Sequence, residues 1–172
     1  MKKTYLLGTV ALLSIGLAAC SSKGATGSTG SKTEQVGSAA NRKIAKELAT
    51  ELNKDGKIAK VTVEPEVRDD QSKKNDKGEM QPHEVINAVV TDKEIVKTLD
   101  ADKEAIGNDT ATNDQKMYVL GMQEIVSNAA KKLNNSNDTV ELKSKMSEDN
   151  YNVYALSTKD KDVIEHVTID VQ

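Results

Sequence analysis

The chain has 172 residues and a mass of 18.6 kDa, enough for one domain of ordinary size. It carries 24 basic and 27 acidic residues, four Tyr, and neither Phe nor Trp. An excess of acidic groups opposes binding to nucleic acid, and the scarcity of rings opposes sites that stack sugars or bases. The single cysteine excludes intrachain disulfides and zinc sites built from several thiolates.

Residues 1–19 have the features of a secretion signal peptide. Lys2 and Lys3 precede an apolar stretch over residues 5–17, which is too short to span a bilayer permanently. The sequence Leu17-Ala18-Ala19-Cys20 follows, and it resembles the lipobox of bacterial lipoproteins. The resemblance implies cleavage before Cys20 and a diacylglycerol on its sulfur, and two acyl chains suffice for stable anchoring to a membrane. An ordinary signal peptide followed by an unrelated cysteine is the alternative.

Residues 20–38 predict the lipidated cysteine and a flexible tether. The segment 21–38 is rich in Ser, Gly and Thr and poor in large apolar side chains, a composition typical of disordered linkers. A flexible chain of this length spans roughly 23 Å. We therefore expect the folded part to lie close to the lipid headgroups, on the extracytoplasmic face of the cell membrane.

Residues 39–172 predict a single α+β domain. The first half predicts a helix after the cap residue Ser38 that ends within 53–56, a strand from residue 59 stopped by Pro65, a long mobile loop over 66–81 and a second strand over 84–90. The second half predicts a helix opened by a Thr91/Glu94 capping box and broken at 107–110, a longer helix opened by Thr112/Gln115, and strands over 140–146, 153–156 and 163–171.

The two halves form a weak internal repeat. Ala59 and Val61 match Val140 and Leu142 at an offset of 81, and residues 87–91 match 154–158 at an offset of 67. Each half would be a helix followed by a hairpin, and a single hairpin is marginal in water. The fold expected is an antiparallel sheet of four or five strands with two or three helices on one face, and the repeat suggests two αββ units as its building blocks.

A further resemblance comes from the closing part of the chain. Residues 152–158 and 162–165, with the strand around Ala88-Val89-Val90, are similar to the spore-associated lipoproteins of YhcN/YlaJ type, which also begin with a lipobox. The polar insert between Pro65 and Pro82 departs from that pattern. The resemblance implies an envelope or spore role and offers no catalytic residues to carry over.

Two histidines and two acidic stretches are the candidates for chemistry. His83-Glu84-x-x-Asn87 begins like a zinc-protease HExxH but lacks the second imidazole, so we expect His83 to be a solvent-facing loop residue. His166 is expected on an exposed strand face, where it could pair with Asp170 or with His83.

Residues 51–58 imitate an EF-hand loop, yet Thr62 stands where calcium needs a bidentate carboxylate, so a helix C-cap is favoured. An acidic cluster that could collect calcium is instead expected to be solvated; its members are Asp100, Asp102, Glu104 and Asp109.

The functional hypothesis is a lipid-anchored, non-catalytic lipoprotein that serves envelope or spore interactions. Cys20 is the only site residue predicted, and its role is lipidation; no metal, cofactor, nucleic acid or catalytic residue is expected, and the partners are the membrane and an envelope protein. One alternative is a surface receptor for a small ligand or metal, with the loop 66–81 as lid. A second alternative is a hydrolase that uses His83 and His166 together.

Overall fold

A computed structural model describes residues 37–148 and 150–169 of the chain. The predicted signal peptide, the lipidation site Cys20 and the tether up to residue 36 lie outside the described residues. The described elements are α1 (Ala39–Leu52), β1 (Ala59–Val67), β2 (His83–Val90), α2 (Lys93–Gly107), α3 (Asn113–Ala130), β3 (Thr139–Lys145) and β4 (Tyr151–Thr158). This order confirms the predicted α+β fold class.

The helices begin at polar caps, two of them as predicted. The Ser38 hydroxyl accepts the Asn41 N–H at the start of α1, and Thr112 and Gln115 form the expected capping box of α3. The prediction for α2 is wrong by one residue, because the carboxylate of Asp92 accepts the first free N–H groups of the helix. Thr91 instead donates its hydroxyl to the carbonyl of Ile58, which ties the end of β2 to the start of β1.

The four strands form one sheet in the order β1-β2-β3-β4. The outer pairs β1–β2 and β3–β4 are antiparallel hairpins, as expected. The central pair β2–β3 is parallel, so the prediction of a wholly antiparallel sheet is wrong there. The reason is topological: α2 and α3 together carry the chain back to the end of the sheet where β2 began, and such a crossover yields parallel neighbours.

One face of the sheet packs against the helices and forms the core. Ile86, Ala88 and Val90 point to that face from the central strand β2 and are at most 3% exposed. Leu48 of α1, Leu99 of α2 and Val126 of α3 belong to the same buried cluster. The opposite face is the more polar one. Because strand residues alternate between faces, its members are those at the other positions, among them Lys60, Thr62, Glu64, Asn87, Glu141 and Lys143.

The helix-hairpin order recurs, although the two αββ units are not related by rotation. Ala59 and Val140 occupy matching inward positions, as the sequence repeat predicts. However, β2 and β3 run parallel, and both hairpins pack their helices on the same face of the sheet. Seen from that face, the second strand lies on the same side of the first strand in both hairpins, but the strand directions are reversed. The two hairpins therefore have opposite hands, and no rotation superimposes them. The repeat therefore predicts element order and burial, but no symmetry.

The segment after β4 differs from the prediction of a fifth strand over 163–171. In its described part, to residue 169, it holds only an isolated bridge between Ser157 and Asp162. The N–H groups of Val163 and Ile164 both donate to the carbonyl of Leu156. The segment therefore folds back onto β4, and its backbone hydrogen-bonds to only some of the N–H and C=O groups along the outer edge of that strand.

Candidate functional site

A polar cavity of about 290 Å³ lies where α1 begins. Its lining includes the cap residue Ser38, Asn41 of α1, Glu66 of β1, Glu84 of β2 and Asp138, the residue before β3. Four parts of the chain that are distant in sequence thus meet beside the first described residue, Gly37. The cavity combines these polar groups with buried side chains, among them Asn41 and His83.

Asn41 is the centre of the cavity's hydrogen bonds. Its side chain is almost fully buried, with 1% of the residue exposed. The amide nitrogen Nδ2 donates to Oε2 of Glu84 at 2.7 Å and to Oδ2 of Asp138 at 2.8 Å. Both protons of one amide therefore hold two carboxylates that would otherwise repel each other.

The two carboxylates also accept bonds from the backbone. Glu84 receives the N–H of Ser38 at 2.7 Å and the Ser38 hydroxyl at 2.9 Å, and Asp138 receives the N–H of Glu84 at 3.0 Å. Negative charge at the first turn of a helix is favourable, because free N–H groups point towards it. The cavity's acidic groups thus fix the position from which α1 starts.

A bulge in β1 shapes the mouth of the cavity. The pairing of β1 with β2 shifts between Glu64 and Val67, and Glu66 adopts a left-handed φ of 59°. The prediction that Pro65 stops the strand is wrong, since β1 continues to Val67. Pro65 has no N–H group to donate to a neighbouring strand. It is tolerated here because β1 is an edge strand and the regular pairing with β2 is interrupted at the bulge.

The polar loop between β1 and β2, which the sequence predicts to be mobile, makes several hydrogen bonds to the rest of the domain. The Lys73 N–H donates to Oδ1 of Asn137 at 3.0 Å, and its Nζ donates to Ser136 at 2.6 Å. Lys74 and Met80 form an antiparallel bridge around the predicted turn. The loop therefore lies against the residues before β3, and of the predicted lid over 66–81 only Glu66 lines the cavity.

His83 is buried, so the prediction of a solvent-facing histidine is wrong. It is the first residue of β2 and is 3% exposed, and its Nε2 lies 2.9 Å from Oδ1 of Asp69. Alternation along β2 puts it on the same face as Val85, opposite to the helices. Because that face is the more polar one, alternation along β2 gives no signal that His83 is buried.

His166 also differs from its prediction, because its segment is not a strand. Its Nε2 lies 3.3 Å from Oδ2 of Asp162, whereas Asp170 is outside the described residues. Burial raises the pKa of Asp162, but hydrogen bonds from Ser157 and Ser127 outweigh it and lower the pKa overall. Ser157 faces the helices, so the two histidines are bound to different carboxylates on opposite faces of the sheet and do not form one site.

Two members of the predicted acidic cluster are structural rather than solvated. Oδ1 of Asp100 accepts the Tyr154 hydroxyl and the Asn152 amide, each at 2.6 Å. Asp102 is 5% exposed and accepts the Gln115 amide at 2.8 Å. Burial, followed by the bond to Asp100, raises the pKa of Tyr154 to about 12. Glu104 and Asp109 are exposed, as expected.

The EF-hand-like stretch is a helix C-cap, as the sequence favours. Asn53 caps α1, and its Oδ1 accepts the N–H groups of Ile58 and Ala59 at 2.8 and 2.9 Å. Its amide donates to the carbonyls of Ala49 and Ala59. Its side-chain oxygen is therefore engaged in turning the chain from α1 into β1.

Comparison with known proteins gives no relative: no family model, no curated protein and no solved structure matches the chain. Over residues 37–148 and 150–169, no group of three His, Cys, Asp or Glu side chains is placed to hold a metal ion. None of the described helices is both long and apolar enough to cross a membrane.

Proposed function

We propose that this chain is a lipid-anchored lipoprotein that displays a non-catalytic interaction domain on the extracytoplasmic face of a bacterial cell membrane. The anchor would be a diacylglycerol on Cys20, and the partner would be another protein of the envelope or spore. The lipobox Leu17-Ala18-Ala19-Cys20 carries the anchoring half of the proposal.

The bonding of Asn41 carries the non-catalytic half. Two of the cavity's acidic side chains, those of Glu84 and Asp138, are of the kind that an enzyme or receptor would use, yet their oxygens accept bonds from Asn41, Ser38 and the backbone N–H of Glu84. A carboxylate that already accepts two or three bonds has little capacity left for a substrate proton or a metal. Such a cluster serves to hold the point where a tether would join a folded domain.

The anchoring is tested by expressing the full chain with Cys20→Ala, using Ser21→Ala as the matched control. Cells are fed an alkyne-tagged fatty acid, and membranes are partitioned into detergent. The parent and Ser21→Ala should carry the label and enter the detergent phase, whereas Cys20→Ala should lose both properties. Labelling that survives Cys20→Ala, or an unacylated terminus by mass spectrometry of the parent, contradicts the proposal.

A further inference from the structure

The two edges of the sheet differ in how their backbone groups are satisfied. The outer edge of β4 is partly covered, since Asp162 bridges to Ser157 and two further N–H groups donate to Leu156. Strand β1 lies at the opposite end of the sheet and pairs, among the described residues, only with β2. An open edge presents a row of free N–H and C=O groups on which another strand can pair.

The side chains along β1 are complementary to themselves about Thr62. Lys60, Thr62 and Glu64 are exposed on the polar face of the sheet, and Val61 and Val63 are half-buried on the helix face. If a second β1 runs antiparallel with Thr62 opposite Thr62, then Lys60 of each copy lies opposite Glu64 of the other. This register therefore forms two Lys60–Glu64 pairs. Opposite charges and threonines at directly opposed positions stabilise antiparallel pairs.

We propose that two copies of this chain associate through the outer edges of β1, in an antiparallel register centred on Thr62, to form one sheet that continues across both. The inference goes beyond the proposed anchor and holds without it, because it uses only described residues.

Neighbouring registers fit less well. If the centre moves to residue 61, Lys60 lies opposite Thr62, and Glu64 no longer has a lysine of the second copy opposite it. A shift to residue 63 puts Thr62 opposite Glu64 and draws the bulge at Pro65 and Glu66 into the pairing. Intermediate shifts would put helix-face residues opposite polar-face residues. The bulge therefore limits the edge to the stretch that is self-complementary.

The space beside β1 accommodates the apolar part of this contact. A groove of about 320 Å³ lies between α1 and β1, and its lining includes the small residues Ala45 and Ala49 together with Val61 and Val63. In the proposed register Val61 stands opposite Val63 of the second copy on this side. The paired valines would therefore be shielded from water beside the groove in each copy, where burial of branched side chains is favourable.

The experiment is cysteine cross-linking of the full chain purified in detergent solution, with the native Cys20 replaced by Ala so that one thiol remains. Residue 62 is the only position that lies opposite the same residue of the second copy. In the Thr62→Cys variant the two thiols are therefore neighbours, and a short bis-maleimide should link them into a dimer. Lys60→Cys is the matched control on the same exposed face, and it should give little dimer because its counterpart lies four residues away along the strand. A parent with Cys20 intact and a lipid label reports anchoring separately, so failure of pairing and failure of anchoring are distinguishable.

Charge reversal provides the second arm. Lys60→Glu in the Thr62→Cys chain places like charges opposite each other twice and should lower dimer yield about fivefold. Adding Glu64→Lys exchanges the two charges and should restore the yield. The proposal is overturned if Thr62→Cys gives no dimer, if Lys60→Cys gives as much, if charge reversal changes nothing, or if the thiol cross-links to a chain of another mass instead.

Discussion

The Nδ2 atom of Asn41 lies 2.8 Å from Oδ2 of Asp138, a residue 97 positions further along the chain. One bond therefore joins the first helix to the turn that precedes the third strand. Because the same amide also holds Glu84 of β2, a short polar side chain connects both halves of the domain at the point where the described chain begins.

Replacing Asn41 should therefore cost more than its size suggests. We expect Asn41→Ala to lower the free energy of unfolding by about 2–4 kcal/mol, since two carboxylates lose a buried donor. Asn113→Ala, an exposed asparagine in the first turn of α3, should change it by less than about 0.5 kcal/mol. Urea denaturation followed by circular dichroism measures both, and equal losses would contradict the assigned role of Asn41.

Gly37 is expected to tolerate no side chain, because a Cβ there would lie 2.3 Å from Cγ1 of Val63. Gly37→Ala should destabilise the domain by about 1–3 kcal/mol through overpacking. Gly107→Ala is the control, since a Cβ at the end of α2 meets nothing within 4 Å. Shortening the neighbour in a Gly37→Ala/Val63→Ala double variant should recover part of the loss, and thermal melting of the three variants decides the point. No recovery in the double variant would mean that the contact with Val63 is not the cause.

The stability of the protein should fall at alkaline pH through Tyr154. Its pKa is raised to about 12 against about 10 in the unfolded chain, so the folded state holds this proton more tightly. The contribution is complete below pH 10 and is lost as pH rises from 10 to 12, at up to about 1.4 kcal/mol per unit. Tyr154→Phe should remove this part of the slope, whereas Tyr151→Phe, on an exposed ring, should keep it. Denaturation series at several alkaline pH values make the comparison, and parallel slopes for the parent and Tyr154→Phe would refute the assignment.

The two histidines should differ in their importance for stability. His83→Ala removes a buried ring and its bond to Asp69, and we expect a loss of about 2–3 kcal/mol. His166→Ala removes a ring whose side chain is 29% exposed, and the expected loss is below about 1 kcal/mol. Chemical denaturation of both variants tests the ranking, which would be wrong if His166→Ala proved the more damaging.

Local patterns in the sequence predict the elements of this fold better than their arrangement. The Thr112/Gln115 box, the alternation from Ala59 and the strand over 84–90 each depend on neighbours in the chain, and each is found as expected. The relative direction of β2 and β3 depends on the end of the sheet to which the two connecting helices lead the chain. No local sequence pattern indicates which end that is. The parallel pairing of β2 with β3 was therefore missed.

The polar site was missed for a related reason. Asn41, Glu84 and Asp138 have no shared spacing, and each alone is a common surface residue. Their meeting depends on the register of β2 beside β3, which places Val85 opposite Thr139. The burial of His83 was missed because the predicted strand begins one residue later, at Glu84, whereas β2 already begins at His83.

The parallel contact between β2 and β3 has a consequence for biogenesis. While the polypeptide is being synthesised, the apolar strand β2 has a partner on one side only, and its other side stays open until α2, α3 and finally Thr139 have emerged. Pairings between distant segments form late and leave nascent chains prone to aggregation. The early helix-hairpin is therefore the stage at which a holding chaperone would be most needed.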